Sequence, residues 1–274
     1  MSKAVIGIHG LANKPTPEVL AEGWEKAIRE GLKKNEGVAE ASLNFSSVYW
    51  ADVMYGDVDP QPDLYKPAEE GALKTYNDGF LDDVRACVLD CGGDLFDAMK
   101  KYLGMDAIAD GVLKAKLKDL SRYYEEADKR AELRNRLENE ILKHQESEIM
   151  VISHSMGTII AYDVLRAIGK KHPQLKVEQF VTIGSPLGLP HVKHKIAEEN
   201  DAVRTPSVVQ QWSNFADKRD PVALDVHLAD DYAANGVGVQ VSDDLVSNDW
   251  SGLHHKSYGY LRTPEVSKEI KGFL

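Results

Sequence analysis

Residues 149–165 read IMVISHSMGTIIAYDVL. Four apolar residues, Ile149 to Ile152, lead into Ser153-His154-Ser155-Met156-Gly157, and an apolar run follows. A short apolar run before a turn reads as a buried strand, and the longer run after it as a helix. A turn alone asks for Gly, Asn or Pro. Here Ser155 has a small residue two places before it and Gly157 two places after it. Small neighbours let a sharp turn close and leave the hydroxyl on show. The stretch therefore predicts a strand that hands over to a helix through a serine presented for chemistry. The plainer alternative is a serine-rich turn with no chemistry.

The flanking sequence extends this pattern. KAVIGIHGL, from Lys3, reads as a buried strand ending in a His9-Gly10 turn. From Thr16, the apolar residues Val19, Leu20, Trp24, Ala27, Ile28 and Leu32 recur at helical spacing. SSVYWAD, Ser46 to Asp52, reads as a second strand. Strand, helix, strand predicts a parallel sheet. Residues 53–120 then break the pattern with a Pro- and Asp-rich loop, followed by an amphipathic stripe through Phe80, Leu81, Val84, Val88, Leu95, Phe96, Met99 and Leu103. This block is too long for a simple crossover and reads as a helical cap inserted in a single domain, 1–274. Its apolar stripe suits a hydrophobic part of a substrate, or simply holds the cap down. LSRYYEEADKRAELRNRLENEILKHQ reads as one long charged helix packing through Leu133, Leu137 and Ile141. Downstream, VEQFVTIGSPLG, SVVQQWSNFADKRDPVA and VGVQVS read as further strands. A closing helix begins with Thr263 as N-cap and Pro264 in its first turn.

Composition narrows the function classes. The chain has 274 residues, 43% of them hydrophobic, enough for one large α/β domain. A net charge of −11 sets it against phosphate backbones, so no nucleic acid is expected as a partner. The N-terminal apolar run is too short for a signal peptide, and no window reaches the roughly 18 apolar residues of a membrane helix. The expectation is a cytoplasmic protein with no membrane insertion. The two cysteines, Cys87 and Cys91, are too few for a disulfide scaffold and read as buried thiols. His191 and His194 in HVKH have a metal-like spacing, but no acidic third ligand follows closely, and no metal is expected. Phosphate-binding glycine patterns are missing, which argues against nucleotide chemistry. DVHLADD reads as a solvated loop, and nothing in the sequence bears on oligomeric state.

A serine nucleophile needs a base, an orienting acid and donors for an oxyanion. The N–H of Met156, at a helix N-terminus, is one such donor. Strand, small-x-Ser-x-Gly, helix resembles the nucleophile elbow of the α/β-hydrolases, and SHSMG running into TIIAYDVL is similar to their lipase and serine-esterase branch. The first position is Ser153 where that branch more often has Gly. The resemblance implies an α/β-hydrolase fold: a mostly parallel central sheet flanked by helices, with an inserted helical cap. It also implies a second oxyanion donor after the early strand, here the N–H of Leu11, with His9 and Gly10 shaping the turn and His154 packing beneath the elbow. Chain order in this family is Ser, acid, His. The acid then falls in WSNFADKRDPVAL, as Asp220 in Asp220-Pro221-Val222, with Asp217 as its rival and Asp225 a poorer match. The base falls in SGLHHKSYGYL, as His255 paired with Tyr258, with His254 as the alternate. Plain turns and a surface histidine pair remain the bland readings of these segments. The implied activity is hydrolysis of a carboxylic ester with a hydrophobic part, on a small-molecule acyl substrate and with no cofactor. A thioesterase, an amidase or peptidase, and an acyltransferase share the same apparatus. A non-catalytic binding protein of the same fold is the alternative from another class.

Overall fold

The structure, a computed structural model, describes residues 2–77, 120–200, 202–252 and 254–274. The amphipathic stripe from Phe80 to Leu103 and both cysteines lie outside the described residues. The chain runs β1 (Lys3–Ile8), α1 (Pro17–Glu36), β2 (Phe45–Val48) and α2 (Ala51–Tyr55). After the undescribed segment come α3 (Ala127–Lys143), β3 (Glu148–His154), α4 (Met156–Lys171), β4 (Gln179–Ile183) and α5 (Pro190–Asn200). The remainder is β5 (Trp212–Ala216), a 3-10 turn (Leu228–Asp230), β6 (Val241–Leu245), α6 (Ser257–Leu261) and α7 (Pro264–Phe273).

Among the described residues the strands form one six-stranded sheet in the order β2-β1-β3-β4-β5-β6, every pair parallel. Successive side chains of a strand face opposite ways, so a strand covered on both sides must be apolar throughout. In β3, Ile149 and Val151 enter one core while Met150 and Ile152 enter the other. Helices α3, α4 and α5 cover the first face, and α1, α6 and α7 the second. The result is a three-layer α/β/α sandwich, the architecture of the α/β-hydrolase fold. The strand order reverses between β1 and β3, and open parallel sheets bind ligands outside the carboxyl ends of the strands at such a switch.

Several boundaries differ from the sequence reading. The second strand ends at Val48, and Trp50 and Asp52 belong to the start of α2, where Asp52 is gripped by Arg136 at 2.6 Å. The long charged helix is broken at Glu126, whose ψ of 84° ends the helical segment at 120–125 and starts α3. The break lets Tyr123 turn inward and donate to Asp163 on α4 at 2.6 Å. Leu133, Leu137 and Ile141 are buried as the periodicity requires. The last strand starts four residues later than VGVQVS, because Asn235 closes a turn, its Oδ1 accepting from the N–H groups of Val237 and Val239. DVHLADD is not a solvated loop: Val226 and Leu228 are buried, and Asp243 of β6 accepts from the N–H groups of Leu228 and Ala229. Residues 56–77 run without helix along the outside of α1 and α7, held by Glu30 to Tyr65 and Ala68 and by Glu265 to Tyr76.

Candidate active site

Ser155 sits between β3 and α4 with φ 54 and ψ −131. Positive φ costs a non-glycine residue on the order of 1–2 kcal/mol. The surrounding hydrogen bonds hold it there. The Ser155 N–H donates to the Ile183 carbonyl at 3.1 Å, and its own carbonyl accepts from the N–H and hydroxyl of Thr158 at 2.9 and 2.7 Å. Ser185 Oγ lies 2.8 Å from that hydroxyl and braces it from the end of β4. Ser153, fully buried, donates to the Val181 carbonyl and ties β3 to β4 just before the turn.

The elbow tolerates only glycine at two neighbouring points. A Cβ on Gly10 would stand 2.5 Å from Ser155 Cβ, and one on Gly157 would stand 2.5 Å from the His9 carbonyl oxygen. The missing side chains let the end of β1 press against the start of α4. The same approach carries the Gly10-Leu11 peptide toward Ser155. Its orientation is set by His9, which is buried and stacked on Trp50 with ring centroids 4.5 Å apart. The Trp50 N–H donates to His9 Nε2 at 3.1 Å, so the ring proton is on Nδ1, which donates to the Gly10 carbonyl at 2.8 Å. Burial, and then the Lys14 charge, hold the His9 pKa well below its ordinary value, so the ring is neutral. In a trans peptide the N–H points opposite to the carbonyl. Fixing the Gly10 carbonyl therefore also fixes the direction of the Leu11 N–H. Among the described residues, neither the Leu11 N–H nor the Met156 N–H has a protein acceptor.

His255 lies on the loop into α6, and its Nε2 is 2.9 Å from Ser155 Oγ. Its Nδ1 is 2.6 Å from Asp220 Oδ2, so the carboxylate accepts the Nδ1 proton and leaves the Nε2 lone pair facing the serine. Asp220 follows β5, is fully buried, and its Oδ1 accepts from the Val222 N–H at 2.8 Å. Gly184, at the end of β4 with φ 54, makes room for this pair: a Cβ there would come 2.9 Å from Asp220 Oδ2 and 3.3 Å from His255 Nδ1. The structure thus brings Ser155, His255 and Asp220 into one line.

The alternates are elsewhere. Asp217 grips Arg219 at 2.7 Å and accepts from the Asn248 N–H at 2.7 Å. It anchors the β5–β6 connection. His254, with φ 48, contacts the Asn248 carbonyl at 2.9 Å through Nδ1. His154 holds the carbonyl of His255 at 2.7 Å through Nε2, with the two rings 4.7 Å apart. Tyr258, paired with His255 in the sequence reading, packs instead against Trp250 and Tyr65. The tyrosine that reaches the acid is Tyr260, whose hydroxyl donates to Asp220 Oδ2 at 2.7 Å. Sequence reasoning missed Tyr260 and Gly184. The Gly-Ser-Pro turn at 184–186 marked the second as a turn, and nothing in the sequence marked the first.

A cavity of about 390 Å³ lies beside the line, walled by His9, Gly10, Leu11, His154 and His255 on its inner side. Its outer wall includes Asn13, Lys14, Gln61, Asp63, Trp250 and Lys256. Among the described residues no cluster of side chains has metal-ligand geometry, and no helix is long and apolar enough to cross a membrane. His191 stacks edge-on to Tyr124, and His194 pairs with Glu198 at 3.1 Å.

Residues 116–270 match a family model described as a PGAP1-like alpha/beta domain. No curated protein matches the chain. Among solved structures, the RedJ thioesterase of the prodiginine biosynthetic pathway in Streptomyces coelicolor is 11% identical, with a TM-score of 0.37 over 100% of this chain and 90% of its own. ClbQ from the colibactin NRPS/PKS pathway is 10% identical, with a TM-score of 0.38 over 100% of this chain and 98% of its own.

Proposed function

The chain belongs to the PGAP1-like alpha/beta domain family, and from that premise we propose that it is a serine hydrolase of carboxylic esters. The observation that carries the reading is the continuous line Ser155 Oγ to His255 Nε2 and His255 Nδ1 to Asp220 Oδ2, at 2.9 and 2.6 Å. Both distances are within the reach that a nucleophile and its base require. Ser155 Oγ attacks the acyl carbon and its proton passes to His255 Nε2. Asp220 stabilises the resulting imidazolium and keeps the ring in place. The Met156 and Leu11 N–H groups receive the oxyanion, a contribution of roughly 10²–10³-fold in rate for each donor. The tetrahedral intermediate collapses, and His255 returns the proton to the departing alcohol. Water, deprotonated by His255, then releases the acid from Ser155. Every proton and electron pair is handled by these groups, so the reading calls for no cofactor. The partner is a small-molecule acyl substrate, not a nucleic acid. The polar outer wall of the cavity suits the polar part of such a molecule.

The test is hydrolysis of p-nitrophenyl esters from acetyl to long acyl chains, with a thioester series alongside, by wild type and Ser155→Ala. Activity that disappears in the variant, with fluorophosphonate labelling of Ser155 in the wild type, supports the reading. The two series then separate esters from thioesters. No turnover in either series, together with no labelling, would overturn it and leave a binding protein of this fold.

A further inference from the structure

The acid of the line has a third partner that the hydrolytic mechanism does not use. Tyr260 is completely buried on α6, five residues beyond His255. Its hydroxyl accepts from the Asp217 N–H at 3.0 Å. Its own proton goes to Asp220 Oδ2, at 2.7 Å. The same oxygen accepts the Nδ1 proton of His255. Asp220 Oδ2 is therefore shared between the base and a neutral phenol, while Oδ1 is held by the backbone of Val222. All three donors are fixed by elements of different origin: α6, the loop before it, and the β5–β6 connection.

We propose that Tyr260 is a positioning residue of the active site, whose hydroxyl fixes the tilt of the Asp220 carboxylate and lowers the proton affinity of His255 by drawing charge off the shared oxygen. This rests on the acyl-transfer reading above. The physical argument has two parts. A hydrogen bond donated to a carboxylate favours its ionised form, so the phenol keeps a buried acid charged in a place where desolvation works against it. The same bond spreads the charge away from His255, so the imidazolium is held less tightly and the neutral base persists to lower pH. Tyr260 stays a neutral donor, because burial and the nearby Asp220 push its own pKa well above the ordinary value. Among the described residues, the charged and titratable groups near this set include Asp217 and Arg219 on the β5–β6 connection and His154 at the end of β3, its ring centroid 6.2 Å from that of Tyr260. Asp217 is neutralised by Arg219, and His154 is engaged with the His255 carbonyl. Tyr260 is thus a side-chain donor to the acid besides the base itself, and deleting its hydroxyl also takes the acceptor from the Asp217 N–H.

The experiment is Tyr260→Phe, which deletes one oxygen and keeps the ring. The readouts are kcat, KM and the pH dependence of fluorophosphonate labelling at Ser155. The expected result is a kcat about tenfold lower with KM nearly unchanged, as for loss of one charge-assisted bond. The acid limb of the labelling profile is expected to move up by roughly half a pH unit. An acid limb that coincides with the wild type overturns the proposal, even if kcat or thermal stability falls, because a merely structural tyrosine would give that pattern. If Tyr260→Phe does not fold, 3-fluorotyrosine at position 260 keeps the shape and makes the hydroxyl a stronger donor. The limb then moves down, and a stationary limb again overturns the proposal. Wild type that fails to label at any pH marks a failure of the hydrolase reading itself, which the variants cannot mimic.

Discussion

Gly157→Ala tests the oxyanion side of the site. The added Cβ would stand 2.5 Å from the His9 carbonyl oxygen, 2.7 Å from the Ile8 carbonyl oxygen and 3.1 Å from the His9 carbonyl carbon. All three are backbone atoms, so no side chain can swing aside. Ordinary contact begins near 3.4 Å, so the end of β1 must retreat from α4 by on the order of 1 Å to restore ordinary packing. That retreat carries the Gly10-Leu11 peptide with it. A displacement of this size costs about 10²-fold in rate, comparable to losing one oxyanion donor. On the proposed acyl-transfer reading the donor serves the charged intermediate, so kcat should fall by about 10²-fold while KM changes little. Stability is a poorer readout. Overpacking costs about 1–3 kcal/mol, but Ala replaces Gly in the first turn of α4 and returns up to about 1 kcal/mol. The variant should fold. The assay is initial rates on the best p-nitrophenyl ester, with active sites counted by fluorophosphonate. Gly236→Ala serves as the control, since a Cβ there meets nothing within 4 Å. A Gly157→Ala enzyme with kcat within roughly threefold of wild type would refute the claim that this contact holds the oxyanion donor in place.

Two further outcomes follow from the same geometry. Asp220→Asn should lower kcat by about 10⁴-fold through the wrong imidazole tautomer, whereas Asp217→Asn should leave kcat within about tenfold and cost about 1–3 kcal/mol of stability; equal losses of kcat would contradict the assignment of the acid. His9 is held neutral below its usual 6.5, so the unfolded chain takes up a proton that the folded chain refuses. Stability from this site is complete above that pH and declines as pH falls through it, by at most about 1.4 kcal/mol per unit. Urea unfolding across this range should show a shallower slope for His9→Gln, and parallel slopes would remove His9 from the account.

Much of the fold is legible because it depends on period and burial. IMVIS has no polar face to offer, and only a strand covered on both sides can use it. Leu133, Leu137 and Ile141 mark one face of a helix in any context. The turn at Ser155 is legible for the same local reason, since small residues flank it. The choice between Asp217 and Asp220 is of another kind. Both are turn formers after the same strand, and they part company through Asn248 on one and His255 and Tyr260 on the other, which the chain brings up in space. Tyr258 and Tyr260 differ in the same way. His255 enters a helix at Ser257, and the helical turn carries residue 260, not 258, back to the acid. The last strand is not legible because VGVQVS alternates like a strand while Asn235 uses its first residues to close a turn. VSDDL, the true strand, spends an aspartate on capping a neighbouring turn and so hides its own pattern.

The sheet order also sets a schedule. β1 is an interior strand, paired to β2 on one side and to β3 on the other. β2 ends at Val48 and β3 begins at Glu148, so about a hundred residues must be added before the second partner exists. At about 5–20 residues per second, the ribosome needs roughly 5–20 s for that stretch. During this interval the apolar strand AVIGI has an open edge, with unsatisfied amides facing whatever the nascent chain meets. Yield of folded protein should therefore depend on translation speed and on chaperones that shield a two-stranded ribbon, and codon choice between positions 49 and 148 is the handle by which that dependence can be read.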